Sequence, residues 1–228
     1  MNSLPDSYKI IKNERKFISA PVDKKGCHKC IFSEDPEIRK YHILIALMLS
    51  SQTRDEITYG AMENLNKNLR GKPVDGLTPI NIVNSTIDHI KSLIKGVGFY
   101  NKKAEYIYKV SVIIAKNKKI PTDYKEIIKL PGVGNKMAYL YLQNACEISM
   151  GIGVDTHVHR ISNKLGLVNT KNPEQTRIAL EKIFPVSEWR EINYIMVGYG
   201  QMICKANNPD CNNCKAKNYC KSYQENLF

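Results

Sequence analysis

The sequence predicts an all-α protein. Helix-start signals recur along the chain, apolar residues recur at intervals of three and four, and no period-two stretch competes with that pattern. A polar tail carrying four cysteines closes the chain, with too little apolar surface to order itself.

Asp35-Pro36 offers a capping carboxylate followed by proline at the first helical position, opening a helix through about Ser50. Thr53 or Asp55 is expected to cap the next helix, which carries Ile57, Ala61, Met62 and Leu65. Thr78-Pro79 repeats the cap-plus-proline signal, and Thr86 starts a helix ending before Gly96. From Asn101 to Lys116, Ala104, Ile107, Tyr108 and Ile114 mark an apolar stripe. Thr122 or Asp123 caps a short helix reaching Leu130, and another runs from about Asn135 to Cys146. Asp155 caps a helix stopped by Gly166. Pro173 opens a helix to about Phe184, and Ser187 is expected to cap one reaching about Ile203.

Among 228 residues, 43% are hydrophobic, enough to bury a real core. Basic residues outnumber acidic ones 34 to 22, a formal charge of +12 that favours polyanionic partners. A lysine-rich soluble surface has the same composition, so charge alone does not choose. The longest apolar run, Ile43 to Leu49, is far short of the ~18 residues a membrane span requires. No secretory signal is expected at the N-terminus, so the cysteines are expected in a reducing compartment.

Three constellations carry chemistry. Leu130-Pro131-Gly132-Val133-Gly134 lies between two helices. Proline fixes one φ and glycine admits positive φ, giving a tight turn whose N–H groups face a helix start and suit a phosphate. An ordinary helix–turn–helix corner fits the same residues. Lys136 sits just inside the following helix. It reads either as a phosphate contact or as a nucleophilic amine. A free lysine is neutral in only about one molecule in a few thousand at neutral pH, so the second role needs a base. Asp155, in Val154-Asp155-Thr156-His157-Val158-His159-Arg160, is the candidate, although its local reading is a helix cap. His157 and His159 do not share a helix face, so a two-histidine metal site is not expected there.

The third constellation is Cys204-x6-Cys211-x2-Cys214-x5-Cys220, which can wrap one zinc ion or one iron–sulfur cluster. Spacing alone leaves that choice open. Cys27-x2-Cys30 has no second pair nearby and is read as structural.

Together these residues resemble the endonuclease III family of helix–hairpin–helix DNA glycosylases, over about Pro21 to Cys220. The resemblance implies that Lys136 is the catalytic lysine and Asp155 the catalytic aspartate. It implies that Cys204, Cys211, Cys214 and Cys220 hold a 4Fe–4S cluster. Leu49 to Asp55 resembles the loop whose glutamine, here Gln52, enters the space left by a flipped base. The family also implies DNA contacts at Phe99, Tyr100, Leu130, Gly132, Val133, Gly134 and His157. Ser51-Gln52-Thr53 before a basic residue, and Gly96 to Tyr100, are similar to eukaryotic members. Phe99 falls where bacterial enzymes place a leucine wedge, although a core aromatic would fit that position as well.

The family fold implies two helical domains flanking a DNA-binding cleft: a barrel of about 33–148 with the hairpin at about 124–146, and a cluster domain of 1–32 plus 149–228. The implied activity is a bifunctional glycosylase and abasic-site lyase on oxidised pyrimidines in duplex DNA, acting as a monomer without a membrane. Nuclear residence follows for a eukaryotic member, with the mitochondrion a further site, and cytoplasm for a prokaryotic one. A monofunctional mismatch glycosylase, a non-catalytic DNA-binding module with a structural metal, and an RNA-binding zinc protein are the rival readings.

Overall fold

A computed structural model describes residues 4–71 and 74–225, and among these every regular element is helical. In chain order the α-helices are α1 (Asp6–Glu14), α2 (Pro21–Lys25), α3 (Pro36–Ser50), α4 (Asp55–Asn68), α5 (Pro79–Val83), α6 (Ile87–Leu93) and α7 (Tyr100–Asn117). They continue as α8 (Tyr124–Ile127), α9 (Asn135–Ala145), α10 (Thr156–Leu165), α11 (Pro173–Ile183), α12 (Val186–Met202) and α13 (Lys221–Glu225).

Short polar side chains set most of these starts. Asp35 accepts from the Glu37 and Ile38 amides, Thr78 from Asn81, Thr86 from His89, Asp123 from Lys125 and Asn172 from Gln175. Each satisfies an amide that the first helical turn leaves without a partner. Three boundaries depart from expectation. α4 follows Arg54 and has no side-chain cap, because the Thr53 hydroxyl is occupied elsewhere. α12 begins at Val186 after Pro185, so Ser187 lies inside the helix instead of capping it. α8 stops at Ile127 because the Lys129 and Leu130 amides turn to carbonyls three residues back. α1 has no side-chain cap.

The chain divides into two compact units. One comprises Lys24–Ile148, and its core gathers α3, with residues Tyr41 to Leu49 all buried, against Met62, Leu65, Ile90, Ile107, Val110, Ile127, Ala138 and Leu142. α3 is buried on every side for nine residues, most of them apolar, as a helix surrounded by others must be. Several polar groups in this core are paired. Tyr41 Oη meets Ser111 Oγ at 2.6 Å. The His42 ring accepts from the Phe32 amide through Nδ1 (3.1 Å), so its Nε2–H donates to the Leu77 carbonyl (2.9 Å). This unit starts before residue 33, because Cys30 is buried in the same core.

The other unit joins Met1–Asp23 to Ser149–Phe228. Its core is built from Tyr8 and Ile11 of α1, Val158 and Ile161 of α10, Leu180 of α11, and Ile192, Met196 and Tyr199 of α12. Tyr8 packs edge-on against Phe184, ring centroids 4.8 Å apart. No helix among the described residues is long and apolar enough to cross a membrane.

Candidate active site and cysteine cavity

The hairpin before α9 is a type II turn. The Val133 amide donates to the Leu130 carbonyl at 3.1 Å, Pro131 takes the second position, and Gly132 the third with φ of 80°. Only glycine fits there. Besides the positive φ, a Cβ at position 132 would lie 2.6 Å from Tyr106 Cδ2. Leu130 and Val133 point into the core, so any contact they make with a ligand runs through the backbone. Gly132 and Gly134 are exposed.

The turn delivers Lys136 to the second position of α9, with its side chain exposed. It lines a pocket of about 210 Å³ with Leu47, Ser50, Ser51, Gly134, Asn135 and Met137. An amine here is held at a helix start, reachable from outside, beside apolar walls. Cys27 lies close enough to Lys136 to feel its charge, and is bonded to Ser50. Burial still pushes the Cys27 thiol up to about 11 and raises Cys30 further, which favours the protonated thiol in both.

Gln52 and Phe99 are the two exposed members of the expected DNA-contacting set that share an uncommon backbone. Ser50 to Thr53 forms a second type II turn: Ser51 has φ −58° and ψ 120°, and the Thr53 amide donates to the Ser50 carbonyl at 3.1 Å. Gln52 takes the third position with φ of 52°, where glycine is usual. Phe99, before the first residue of α7, has φ of 58° and is 68% exposed, which excludes a core aromatic. Tyr100 is half-buried against the core of its unit.

In the other unit, Asp155 is the N-cap of α10, and its Oδ1 accepts the Val158 amide at 2.8 Å. That bond uses one carboxylate oxygen. His157 is half-buried, its Nδ1 3.3 Å from Arg160 Nη2. Arg160 also donates to the Cys204 carbonyl at 2.6 Å, tying α10 to the cysteine segment.

Cys204, Cys211, Cys214 and Cys220 all line one cavity of about 100 Å³, together with Ile11, Ile161 and Tyr199. Burial raises the Cys204 thiol, opposed by the Lys164 and Arg160 cations, and raises the Cys214 thiol, opposed by a hydrogen bond with Tyr199. A single tetrahedral ion would need its sulfurs ~3.8 Å apart. Among the described residues, no three cysteine, histidine or acidic side chains gather closely enough for one ion. Four thiols lining one mostly apolar cavity are a donor set that an iron–sulfur cluster can use.

Lys103 was not among the expected site residues. It is only 8% exposed, and its Nζ donates to the Leu49 carbonyl (2.7 Å), the Ser51 carbonyl (2.5 Å) and Thr53 Oγ1 (3.2 Å). A signal for it exists: Lys103 occupies the same stripe as Ile107, Val110 and Ile114, where an apolar residue belongs.

The chain is similar to known DNA-repair proteins in sequence and fold. The family model described as HhH-GPD superfamily base excision DNA repair protein matches residues 45–186. An endonuclease III homolog of Encephalitozoon cuniculi is 47% identical over 221 residues, covering 94% of this chain and 92% of that protein. Endonuclease III-like protein 1 of Gallus gallus is 42% identical, covering 92% and 74%. A trapped endonuclease III–DNA covalent intermediate superposes with a TM-score of 0.80 at 26% identity, over 99% of this chain and 100% of that one. The chain belongs to the HhH-GPD superfamily of base excision DNA repair proteins, and within it to the endonuclease III family.

Proposed function

We propose that this protein is a bifunctional DNA glycosylase and abasic-site lyase that removes oxidised pyrimidines from duplex DNA as a monomer. The observation that carries the lyase half is Lys136, an exposed amine at the second residue of α9, held in a pocket by the turn that precedes it. Among structures of similar fold is an endonuclease III trapped covalently on DNA. Eukaryotic relatives such as the Gallus gallus protein support residence in the nucleus, whereas two Arabidopsis thaliana relatives are named as chloroplastic.

The turn amides and the start of α9 offer donors to a backbone phosphate, and Gln52 and Phe99 occupy the duplex where the lesion leaves it. Lys136 Nζ, relieved of a proton by Asp155, bonds to C1′ as the C1′–N bond breaks and the base departs with the electron pair. Ring opening, with a proton delivered to O4′, leaves a Schiff base. Loss of a C2′ proton then expels the 3′ phosphate, and water releases Lys136. Asp155 keeps one oxygen on the Val158 amide and has the other for proton transfer.

Cys204, Cys211, Cys214 and Cys220 would hold a 4Fe–4S cluster, which when bound orders the polar segment that carries them. The test is product analysis on a thymine-glycol duplex. Base release with a strand cut ending in an unsaturated aldehyde is expected. Base release with an intact abasic strand would mark a monofunctional enzyme, and binding without either product a non-catalytic module.

A further inference from the structure

Two bulky side chains, Gln52 and Phe99, stand exposed on left-handed backbone, each at a cost of about 1 kcal/mol. Such conformations persist only where the surroundings fix them, and here one buried cation does so. Lys103 Nζ reaches from α7 to the end of α3. It donates to the Leu49 carbonyl, which the helix end leaves without an amide, and to the Ser51 carbonyl inside the Gln52 turn. Its third partner, Thr53 Oγ1, also accepts the Gly98 amide at 3.2 Å. The Thr53 hydroxyl therefore joins the Gln52 turn to the segment that ends in Phe99. The two backbones approach so closely that a Cβ on Gly98 would sit 2.7 Å from the Gln52 carbonyl oxygen.

We infer that Lys103 is a positioning residue for base extrusion: its ammonium locks the Gln52 turn and the Phe99 segment into one rigid double wedge. It touches no reacting atom. Its burial lowers its pKa to about 8, a cost a surface lysine would avoid, and the three acceptors give the charge its compensation. A lysine used only to cap α3 would need the Leu49 carbonyl alone. The bonds to Ser51 and Thr53 lie beyond the helix, in the turn itself. This inference rests on the proposed role of Gln52 in filling the space of a flipped base.

The test is a double-mutant cycle in single-turnover excision from a thymine-glycol duplex at saturating enzyme, with Lys103→Met, Gln52→Ala and the double variant. Each single variant is expected to slow excision roughly tenfold, with the double variant no slower than the worse single, because Lys103 acts through the wedge. Thr53→Val removes the shared hydroxyl without unburying a charge. It is expected to show a smaller loss that also vanishes beside Gln52→Ala, and it serves if Lys103→Met fails to fold. A general loosening of the unit would slow both backgrounds by the same factor, so multiplying losses overturn the inference. Full activity in a folded Lys103→Met beside a slow Gln52→Ala overturns it while leaving the role of Gln52 intact. An unimpaired Gln52→Ala removes that role and this inference together.

Discussion

The Tyr199 hydroxyl stands 3.1 Å from Cys214 Sγ and 3.0 Å from Glu14 Oε2, deep in the unit that carries the cysteine cavity. Tyr199 is 1% exposed, so neither interaction is shared with bulk water. Tyr199→Phe removes a buried hydroxyl worth about 1 kcal/mol and leaves both the sulfur and the carboxylate short of a partner. With the proposed cluster bound, the visible absorption of the purified protein is expected to bleach faster under mild oxidant in Tyr199→Phe than in wild type. Equal bleaching rates would mean that the hydroxyl does not protect the cysteine ligand.

Asp155 caps α10, and substitutions separate that role from the proton transfer proposed for it. Asparagine is also a good N-cap, so Asp155→Asn is expected to melt within a degree or two of wild type while losing excision by roughly 100-fold or more. Asp155→Ala is expected to lose about 1 kcal/mol of stability in addition. Thermal melts beside single-turnover rates check both. Full activity in a folded Asp155→Asn would remove the carboxylate from the proton-transfer step.

Gly132→Ala combines a strained φ with a clash on the Tyr106 ring. It is expected to cost about 1–3 kcal/mol and to weaken binding to a duplex bearing a stable abasic-site analogue. At Gly134 a Cβ would meet open space and φ is −110°, so this position is expected to accept alanine with little change in stability. Equal melting temperatures for the two variants would contradict the turn geometry.

Burial of His42 lowers its pKa below the ordinary 6.5, opposed by its hydrogen bond to the Leu77 carbonyl. Between the lowered folded value and 6.5 the unfolded chain binds more protons than the native one. Stability from this group is therefore complete above 6.5 and falls as the pH drops through that window. Urea denaturation from about pH 7.5 down to about pH 5 should show a steeper loss in wild type than in His42→Gln. Parallel profiles would exclude His42 as a source of acid sensitivity.

The helix starts were legible wherever a short polar side chain does the capping, as at Asp35, Thr78, Thr86 and Asp155. They were not legible where tertiary structure claims the side chain. Thr53 looks like a cap for α4, but its hydroxyl serves Gly98 and Lys103 instead. The hairpin and Lys136 stand out because proline and glycine at fixed offsets have a local meaning. Lys103 did not stand out. Its partners lie some fifty positions away in sequence, and only its place on an apolar stripe marks it. Phe99 shows the opposite difficulty, since an aromatic beside a helix reads equally as core or wedge until its exposure is known.

Borohydride trapping tests the central claim most directly. Wild-type protein incubated with an abasic duplex and reductant should yield a covalent protein–DNA adduct, with the modified residue mapping by mass spectrometry to Lys136. Lys136→Ala should bind the same duplex and yield none. An adduct that forms equally well in Lys136→Ala, or one that maps to another residue of the wild type, would contradict the account.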